Sequence, residues 1–163
     1  MQKIAQFLKV SRAQFEADWH FSQPCPYDEI RLPRRGTSGS AGYDFYTPVD
    51  LDLAPGESVV IPTGVRARMD DGWALLIYPR SGQGWKYRLQ LYNTVGVIDA
   101  DYFGAENEGH IQIKLINANR EGKRFACPKG TAIAQGVFTP FGVTIDDDAI
   151  AQRTGGFGST DRR

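Results

Sequence analysis

In the stretch IQIKLI, residues 111–116, the apolar residues Ile111, Ile113 and Leu115 alternate with the polar residues Gln112 and Lys114. Successive side chains of a β-strand point to opposite faces of the sheet, so a period of two predicts a strand with one buried and one solvated face. The three alternating apolar positions are candidates for the core. The stretch therefore predicts a half-buried strand rather than a helix.

Similar β-rich runs lie on both sides of this stretch, separated by turn signals that contain proline, aspartate or glycine. Many short strands with little helix predict an all-β fold, either an antiparallel sandwich or a jelly roll. The sequence shows no internal repeat and indicates no second domain. The runs span residues 58–61, 74–78, 88–92 and 132–139, and the turn signals fall at residues 54–56, 62–64, 70–72, 120–122 and 128–130.

The composition fits one compact and electrically neutral domain. The chain has 163 residues, in which 19 Lys plus Arg balance 19 Asp plus Glu, and this length can bury one core without disulfides. The zero net charge argues against a general nucleic-acid or membrane-surface binder. The opening sequence MQKIAQFLKV holds too short an apolar run for a signal peptide. No nucleic-acid or membrane partner is therefore expected.

The two cysteines, Cys25 and Cys127, are predicted to be reduced and structural. With only two histidines in the chain, they form no spacing typical of a zinc site. Free thiols suit a reducing compartment, so the expected location is cytoplasmic.

Apolar side chains recur at helical spacing near the N-terminus. The pattern predicts one amphipathic helix over residues 3–19, which the prolines at positions 24 and 26 end. We assign residues 1–29 to an N-terminal helical extension that either packs on the main domain or contacts a subunit or partner. The positions that carry the pattern are Ile4, Phe7, Leu8, Ser11, Phe15 and Trp19.

Five short motifs follow one another along the rest of the chain. They are GSAGYDFY at residues 39–46, PRSG at 79–82, NTVGVIDADYFG at 93–104, GTAIAQGVF at 130–138 and RTGGFGST at 153–160. Their composition and order resemble those of the trimeric dUTP pyrophosphatases (dUTPases). The resemblance covers roughly residues 30–160. It implies a distorted antiparallel jelly-roll barrel over residues 30–151 and a flexible C-terminal lid over residues 152–163.

Asp99 is the candidate general base. It follows an apolar run and precedes a turn, and a rigid strand end is a suitable place for a catalytic carboxylate. The matching aspartate of dUTPases orients and deprotonates the water that attacks the α-phosphorus. Asp101 lies two residues further along, points the same way in an extended chain and is the second candidate.

Three further residues are candidates for nucleoside binding. The resemblance implies that Tyr102 stacks on the deoxyribose, where a ribose 2′-hydroxyl would clash. It also implies that the side-chain amide of Asn93, which offers both a donor and an acceptor, reads the uracil edge. Backbone contacts from the following hairpin would fall at Gln112. This hairpin departs from the common pattern, because it carries the extra sequence AENEG at residues 105–109.

The phosphate-binding candidates come from three motifs. Arg80, Ser81 and Gly82 offer a guanidinium, a hydroxyl and backbone N–H groups, all of which suit an anion. In the family this motif binds the α- and β-phosphates, and Gln135 matches a further phosphate contact. Asp44 matches an aspartate that contacts the metal through water. Magnesium keeps several water or phosphate ligands, so a single carboxylate suffices for a Mg²⁺ cofactor.

The Gly-rich tail has no aliphatic anchor, so its order is expected to come from a ligand. By resemblance, Phe157 covers the uracil ring, and the tail meets the γ-phosphate. Here a single residue separates the arginine from the glycines, so either Arg153 acts from a shifted position or Gln152 occupies the usual position. The other substrate-binding candidates in the tail are Gly158, Ser159 and Thr160.

The resemblance implies hydrolysis of dUTP to dUMP and pyrophosphate by a homotrimer whose sites lie between subunits. Two alternatives stay open. A dCTP deaminase of the same fold, bifunctional or not, would need a catalytic glutamate, for which Glu106 and Glu108 in the insertion are candidates. A dUTPase-fold protein could also have an added regulatory role, with the N-terminal helix and the insertion contacting a partner.

Overall fold

The structure, a computed structural model, describes residues 2–150 and 155. Of the described residues, 37% lie in strands and 15% in helices, which confirms the predicted predominance of β-structure. The predicted lid lies outside the described residues apart from Gly155. The strands are β1 (Ala5–Lys9), β2 (Arg34–Arg35), β3 (Tyr43–Tyr46), β4 (Leu51–Leu53), β5 (Ser58–Pro62), β6 (Val65–Met69), β7 (Trp73–Pro79), β8 (Leu89–Leu91), β9 (Gly96–Ile98), β10 (Gln112–Asn117), β11 (Phe125–Cys127) and β12 (Ala132–Pro140), and the α-helices are α1 (Arg12–Asp18) and α2 (Ser81–Tyr87).

All strand pairs in the described part of the chain are antiparallel. The largest sheet has the order β2-β3-β12-β7-β9, and a second sheet has the order β5-β10-β8. Two-stranded sheets pair β1 with β6 and β11 with β4. Strands distant in sequence are therefore neighbours in space, as in a jelly roll. Each sheet keeps two edge strands among the described residues, so a closed barrel is not shown.

The core lies between the sheets and uses the alternation predicted for β10. Ile113 and Leu115 are buried and Lys114 is exposed. Gly136 of β12 lies against this core, where a Cβ atom would come within 2.8 Å of Leu75 and 2.9 Å of Phe45. The absence of a side chain at Gly136 lets the large sheet pack closely on its inner face.

The predicted helix over residues 3–19 is wrong in its first half. Residues 5–9 form strand β1, which pairs with β6 in the register Ala5↔Met69 to Lys9↔Val65. Phe7 packs edge-on against Phe45 of the large sheet, with ring centroids 5.7 Å apart. The free edge of β6 satisfies the backbone groups of β1, and this long-range pairing overrides the local helical spacing.

Helix α1 is only seven residues long. It begins after Ser11, whose extended backbone (φ −62°, ψ 157°) and side chain, accepting a hydrogen bond from Gln14 N, form a standard N-cap. The helix ends at Asp18, before the prolines that were expected to stop it. In the part of the chain that the structure describes, no helix is long and apolar enough to span a membrane.

Helix α2 was not predicted, because its sequence SGQGWKY holds two glycines and follows a turn motif. The helix ends at Tyr87 and is capped by Arg88, a non-glycine residue in the left-handed conformation (φ 54°). Gln83 Nε2 donates a hydrogen bond of 2.8 Å to Ala132 O on β12. Tertiary contact therefore supports a helix that local propensity disfavours.

Candidate active site

The outer face of the large sheet brings three of the sequence motifs together. Gln135 on β12 pairs with Asp44 on β3 and with Tyr78 on β7. Residues directly opposite one another in a sheet point to the same face. These three side chains and Arg80 line one cleft of about 440 Å³.

Arg80 lies at the end of β7 and faces Asp44 across this cleft. Its Nε atom is 3.1 Å from Asp44 Oδ1, and 41% of the Arg80 side chain stays exposed. The amide of Gln135 donates a hydrogen bond of 3.1 Å to Pro79 O, the residue before Arg80. A partly exposed guanidinium that is oriented by a carboxylate, at a strand end held by an adjacent amide, is a suitable site for phosphate oxygens. Ser81 and Gly82 follow as the exposed first residues of α2.

A second cleft, of about 420 Å³, holds the predicted nucleoside-binding residues Asn93 and Gln112. Its walls are mostly apolar and include residues of β5, β7, β8, β9 and β10. Asn93 is exposed and Gln112 is half-buried. An apolar cleft with a few polar groups is typical of a site for a flat heterocyclic base.

Asp99 lies where the sequence predicted it, directly after the strand β9. The preceding residue, Ile98, lines the second cleft. Asp99 precedes a short 3₁₀ helix, Ala100–Gly104, and its carbonyl accepts a hydrogen bond of 3.2 Å from Tyr102 N. The Asp99 side chain is half-buried, whereas Asp101 is exposed. Asp99 is therefore attached to a strand end beside the second cleft.

The first and second clefts, which we name the phosphate cleft and the nucleoside cleft after the ligands that the sequence predicts for them, share no lining residue. Strand β7 separates them, because Ile77 lines the nucleoside cleft and the next residue, Tyr78, lines the phosphate cleft. Successive residues of a strand point to opposite faces of its sheet. A single chain therefore presents the two sets of candidate residues on two different surfaces.

Tyr102 is more buried than a residue at the rim of a cleft, with 5% of its surface exposed. Its hydroxyl donates a hydrogen bond of 2.9 Å to His110 O and accepts one of 2.8 Å from Asn107 Nδ2. Both partners come from the inserted sequence or the residue that follows it. The insertion thus packs directly behind the residue expected to contact the sugar.

A polar cluster around His110 was not identified from the sequence. His110 is fully buried, and its Nδ1 lies 2.5 Å from Asp18 Oδ2. Its Nε2 accepts a hydrogen bond of 2.8 Å from Gly64 N. Burial lowers the pKa of His110 below its ordinary value and outweighs the opposing effect of Asp18. The imidazole is therefore neutral, with its proton on Nδ1.

The other candidate residues divide into two groups. Glu106 is exposed, and Glu108 is bound by Ser11; neither is among the residues that line the two clefts. The tail candidates Arg153, Phe157, Gly158, Ser159 and Thr160, with the alternative Gln152, lie outside the described residues.

Comparison with known proteins gives consistent matches. The dUTPase family model matches residues 28–161. The deoxyuridine 5′-triphosphate nucleotidohydrolase of Lactococcus lactis is 44% identical over 134 residues, which cover 80% of this chain and 88% of that protein. The protein of the same name from Shigella sonnei is 38% identical over 143 residues, covering 83% of this chain and 90% of that protein.

Solved structures agree with these matches. The dUTPase of Streptococcus mutans has a TM-score of 0.66 and 34% identity, and the match covers 85% of this chain and 97% of that chain. A dUTPase mutant from phage phi11 of Staphylococcus aureus, at 21% identity and a TM-score of 0.64, shares the fold over 91% of this chain and 98% of that chain. The predicted dUTPase-like fold is confirmed, and the chain belongs to the dUTPase family.

Proposed function

We propose that this chain hydrolyses dUTP to dUMP and pyrophosphate. The observation that carries the proposal is the convergence of Asp44, Arg80 and Gln135, from three separate motifs, in one cleft that suits phosphate. The names of the Lactococcus and Shigella relatives support the same substrate.

The nucleoside cleft is proposed to select the base and the sugar. The amide of Asn93 can donate to and accept from the uracil edge, and the backbone at Gln112 supplies the remaining contacts. Tyr102 is proposed to pack against the deoxyribose, where a 2′-hydroxyl would collide with the ring.

Asp99 is proposed to accept a proton from the attacking water. The water oxygen forms a bond to the α-phosphorus while the bond from that phosphorus to the bridging oxygen breaks, and pyrophosphate leaves. Arg80, Ser81, Gly82 and Gln135 are proposed to hold the phosphate oxygens and to stabilise their charge. Fixed donors of this kind act on the transition state without reorganising.

The residues of the phosphate cleft fit a magnesium ion that is held mainly by the substrate. Asp44 is the one carboxylate among the residues lining this cleft, and no group of three or more His, Cys, Asp or Glu within the described residues could hold a metal alone. Such a donor set suits Mg²⁺, which keeps water and phosphate ligands, with Asp44 acting through water. Bound there, Mg²⁺ would neutralise charge on the triphosphate.

We further propose that the active enzyme is a homotrimer. The separation of the two clefts supports this arrangement, because a second subunit can bring its phosphate cleft to the nucleoside cleft of the first. Large apolar side chains exposed on the single chain are a further support, since such groups favour burial between subunits. They include Val97, Phe141, Val143 and Ile145.

The C-terminal motif is proposed to close over this composite site. Arg153, Ser159 and Thr160, with the backbone at Gly158, would meet the γ-phosphate, and Phe157 would cover the base.

We also propose a cytoplasmic location, which Cys25 and Cys127 support as free thiols. Burial raises the pKa of both thiols, so neither is activated.

The purified protein with Mg²⁺ should release pyrophosphate from dUTP much faster than from dCTP, dTTP or UTP. The assay measures pyrophosphate and ammonia in parallel, because ammonia from dCTP would instead identify a deaminase. No pyrophosphate from dUTP in the presence of Mg²⁺ would contradict the proposal. Among the described residues, neither Glu106 nor Glu108 lines either cleft, so the deaminase gains no support there.

A further inference from the structure

The inserted residues 105–109 enclose the hydroxyl of Tyr102. Asn107 Nδ2 donates to this hydroxyl over 2.8 Å, and the hydroxyl donates to His110 O over 2.9 Å. Asn107 is oriented in turn by Gly109 N, which donates to its Oδ1 over 3.2 Å. Both hydrogen-bonding functions of the phenol are thereby used.

Gly109 lets the insertion approach Tyr102 closely. It has a positive φ of 69°, and a Cβ atom at this position would lie 2.6 Å from Tyr102 O and 2.8 Å from Phe103 Cα. These neighbours are backbone atoms, which cannot move aside as a flexible side chain can. The insertion is therefore packed against the backbone as well as the ring of the Tyr102 turn.

The N-terminal segment, residues 5–18, holds the insertion from the other side. Glu108 accepts hydrogen bonds from Ser11 N over 2.7 Å and from Ser11 Oγ over 2.6 Å. It also forms an ion pair of 3.7 Å with Arg66. The bonds from Ser11 lower the pKa of Glu108, so the carboxylate is ionised at neutral pH.

Two further contacts join the N-terminal segment and its neighbour β6 to the same turn. Asp18, the last residue of α1, accepts from His110 Nδ1, and the carbonyl of His110 is the acceptor for Tyr102. Arg66 on β6 donates to Phe103 O, and its guanidinium lies 3.7 Å from the centroid of the Phe103 ring. The turn that carries Tyr102 is thus held at two consecutive residues, Tyr102 and Phe103.

We propose that the N-terminal segment and the insertion together form a brace that positions the Tyr102 ring and so sets the discrimination between deoxyribose and ribose. A side chain excludes ribose by steric clash only when it is held in place, because a mobile ring would move away from a 2′-hydroxyl. The side chains of Asn107 and Glu108 already bind within the chain, which favours this internal role over contact with a partner. The inference rests on the proposed dUTP hydrolysis.

The test compares two glutamates of the insertion. Glu108→Ala removes the contacts to Ser11 and Arg66, whereas Glu106→Ala removes an exposed side chain and serves as the matched control. The measurement is kcat/KM for dUTP and for UTP, with the melting temperature of each variant. Glu108→Ala and Asn107→Ala should each lower the dUTP/UTP ratio by about tenfold, the scale of one or two lost hydrogen bonds. Glu106→Ala should leave the ratio within about twofold, as expected for a surface substitution.

A conservative variant separates positioning from simple loss of stability. Glu108→Gln can still accept from Ser11 N and donate to Ser11 Oγ, so it should restore most of the dUTP/UTP ratio. A Glu108→Ala variant with a lower melting temperature but an unchanged dUTP/UTP ratio would contradict the proposed positioning of Tyr102. A wild-type protein that fails to hydrolyse dUTP would overturn the proposed function instead.

Discussion

Asp99 is the residue on which the proposed reaction depends most, because it accepts the proton of the attacking water. Replacing it with Asn keeps the shape of the side chain and removes the proton acceptor, so kcat should fall by at least ~10²-fold with little change in dUTP affinity. Steady-state kinetics and a binding titration with a non-hydrolysable dUTP analogue would measure both. Asp101→Asn is the matched control and should stay close to wild type. Reversed effects of the two variants would assign the base to Asp101.

His110 should make the stability of the fold depend on pH. Its pKa is lowered in the folded chain, so between pH 6.5 and that lowered pKa only the unfolded chain binds a proton. The free energy of unfolding should therefore be highest above pH 6.5 and fall as the pH decreases through this window, by about 1.4 kcal/mol for each unit of pKa difference. Asp18 and Glu108 are the charged groups that act on the imidazole.

Urea denaturation from pH 8 to pH 5 would measure this dependence. His110→Gln should flatten the slope between pH 6.5 and pH 5, whatever its effect on absolute stability. His20→Gln replaces the exposed histidine and should leave the slope as in the wild type. Equal slopes in all three proteins would show that His110 does not govern this pH range.

At the scale of elements, the sequence predicted strands well where alternation and turns agreed, as in β10. It failed for β1, because the partner strand β6 lies far away in sequence and no local pattern records that pairing. It also failed for α2, where the contact of Gln83 with Ala132 supports a glycine-rich helix. Local propensity is a weak predictor where tertiary contacts satisfy the backbone.

Contacts between residues distant in sequence also limited the prediction of the candidate site. The family resemblance of three motifs named Asp44, Arg80 and Gln135, and the structure brings these three residues together in one cleft. The bracing of Tyr102 could not be predicted, since Ser11 and Glu108 are 97 positions apart and Asp18 and His110 are 92 apart. Contacts between segments so distant leave no local periodicity.

Helix α2 offers a direct test of backbone strain at its end. Arg88 occupies the left-handed conformation with φ 54°, where a non-glycine residue costs about 1 kcal/mol. Arg88→Gly should therefore raise the free energy of unfolding by up to about 1 kcal/mol. Lys86→Gly, inside the same helix, should lower it by a similar amount, about 1 kcal/mol. Urea denaturation of both variants measures the sign of the change in the free energy of unfolding. A lower free energy of unfolding for Arg88→Gly would contradict backbone strain at this position.

At the scale of the whole molecule, the opposite positions of the two clefts make a single chain an incomplete enzyme under the proposed mechanism. The described core does not include the tail, because its buried apolar side chains all lie between Val10 and Ala134. Deleting residues 152–163 removes none of that core. The deletion should leave the melting temperature nearly unchanged while turnover collapses, since the proposed lid aligns the phosphates and excludes water.

Mixed oligomers would show whether the tail serves its own chain or a neighbour. The Asp99→Asn chain keeps the tail and lacks the base, and the chain lacking residues 152–163 keeps the base and lacks the tail. Each should be nearly inactive alone. If tail and base meet across subunits, trimers reassembled from an equal mixture should recover about a quarter of the wild-type activity, because random assembly pairs an intact base with an intact tail at that frequency. Mass spectrometry would verify the mixing, and mixed trimers without activity would mean that each tail closes over the Asp99 of its own chain.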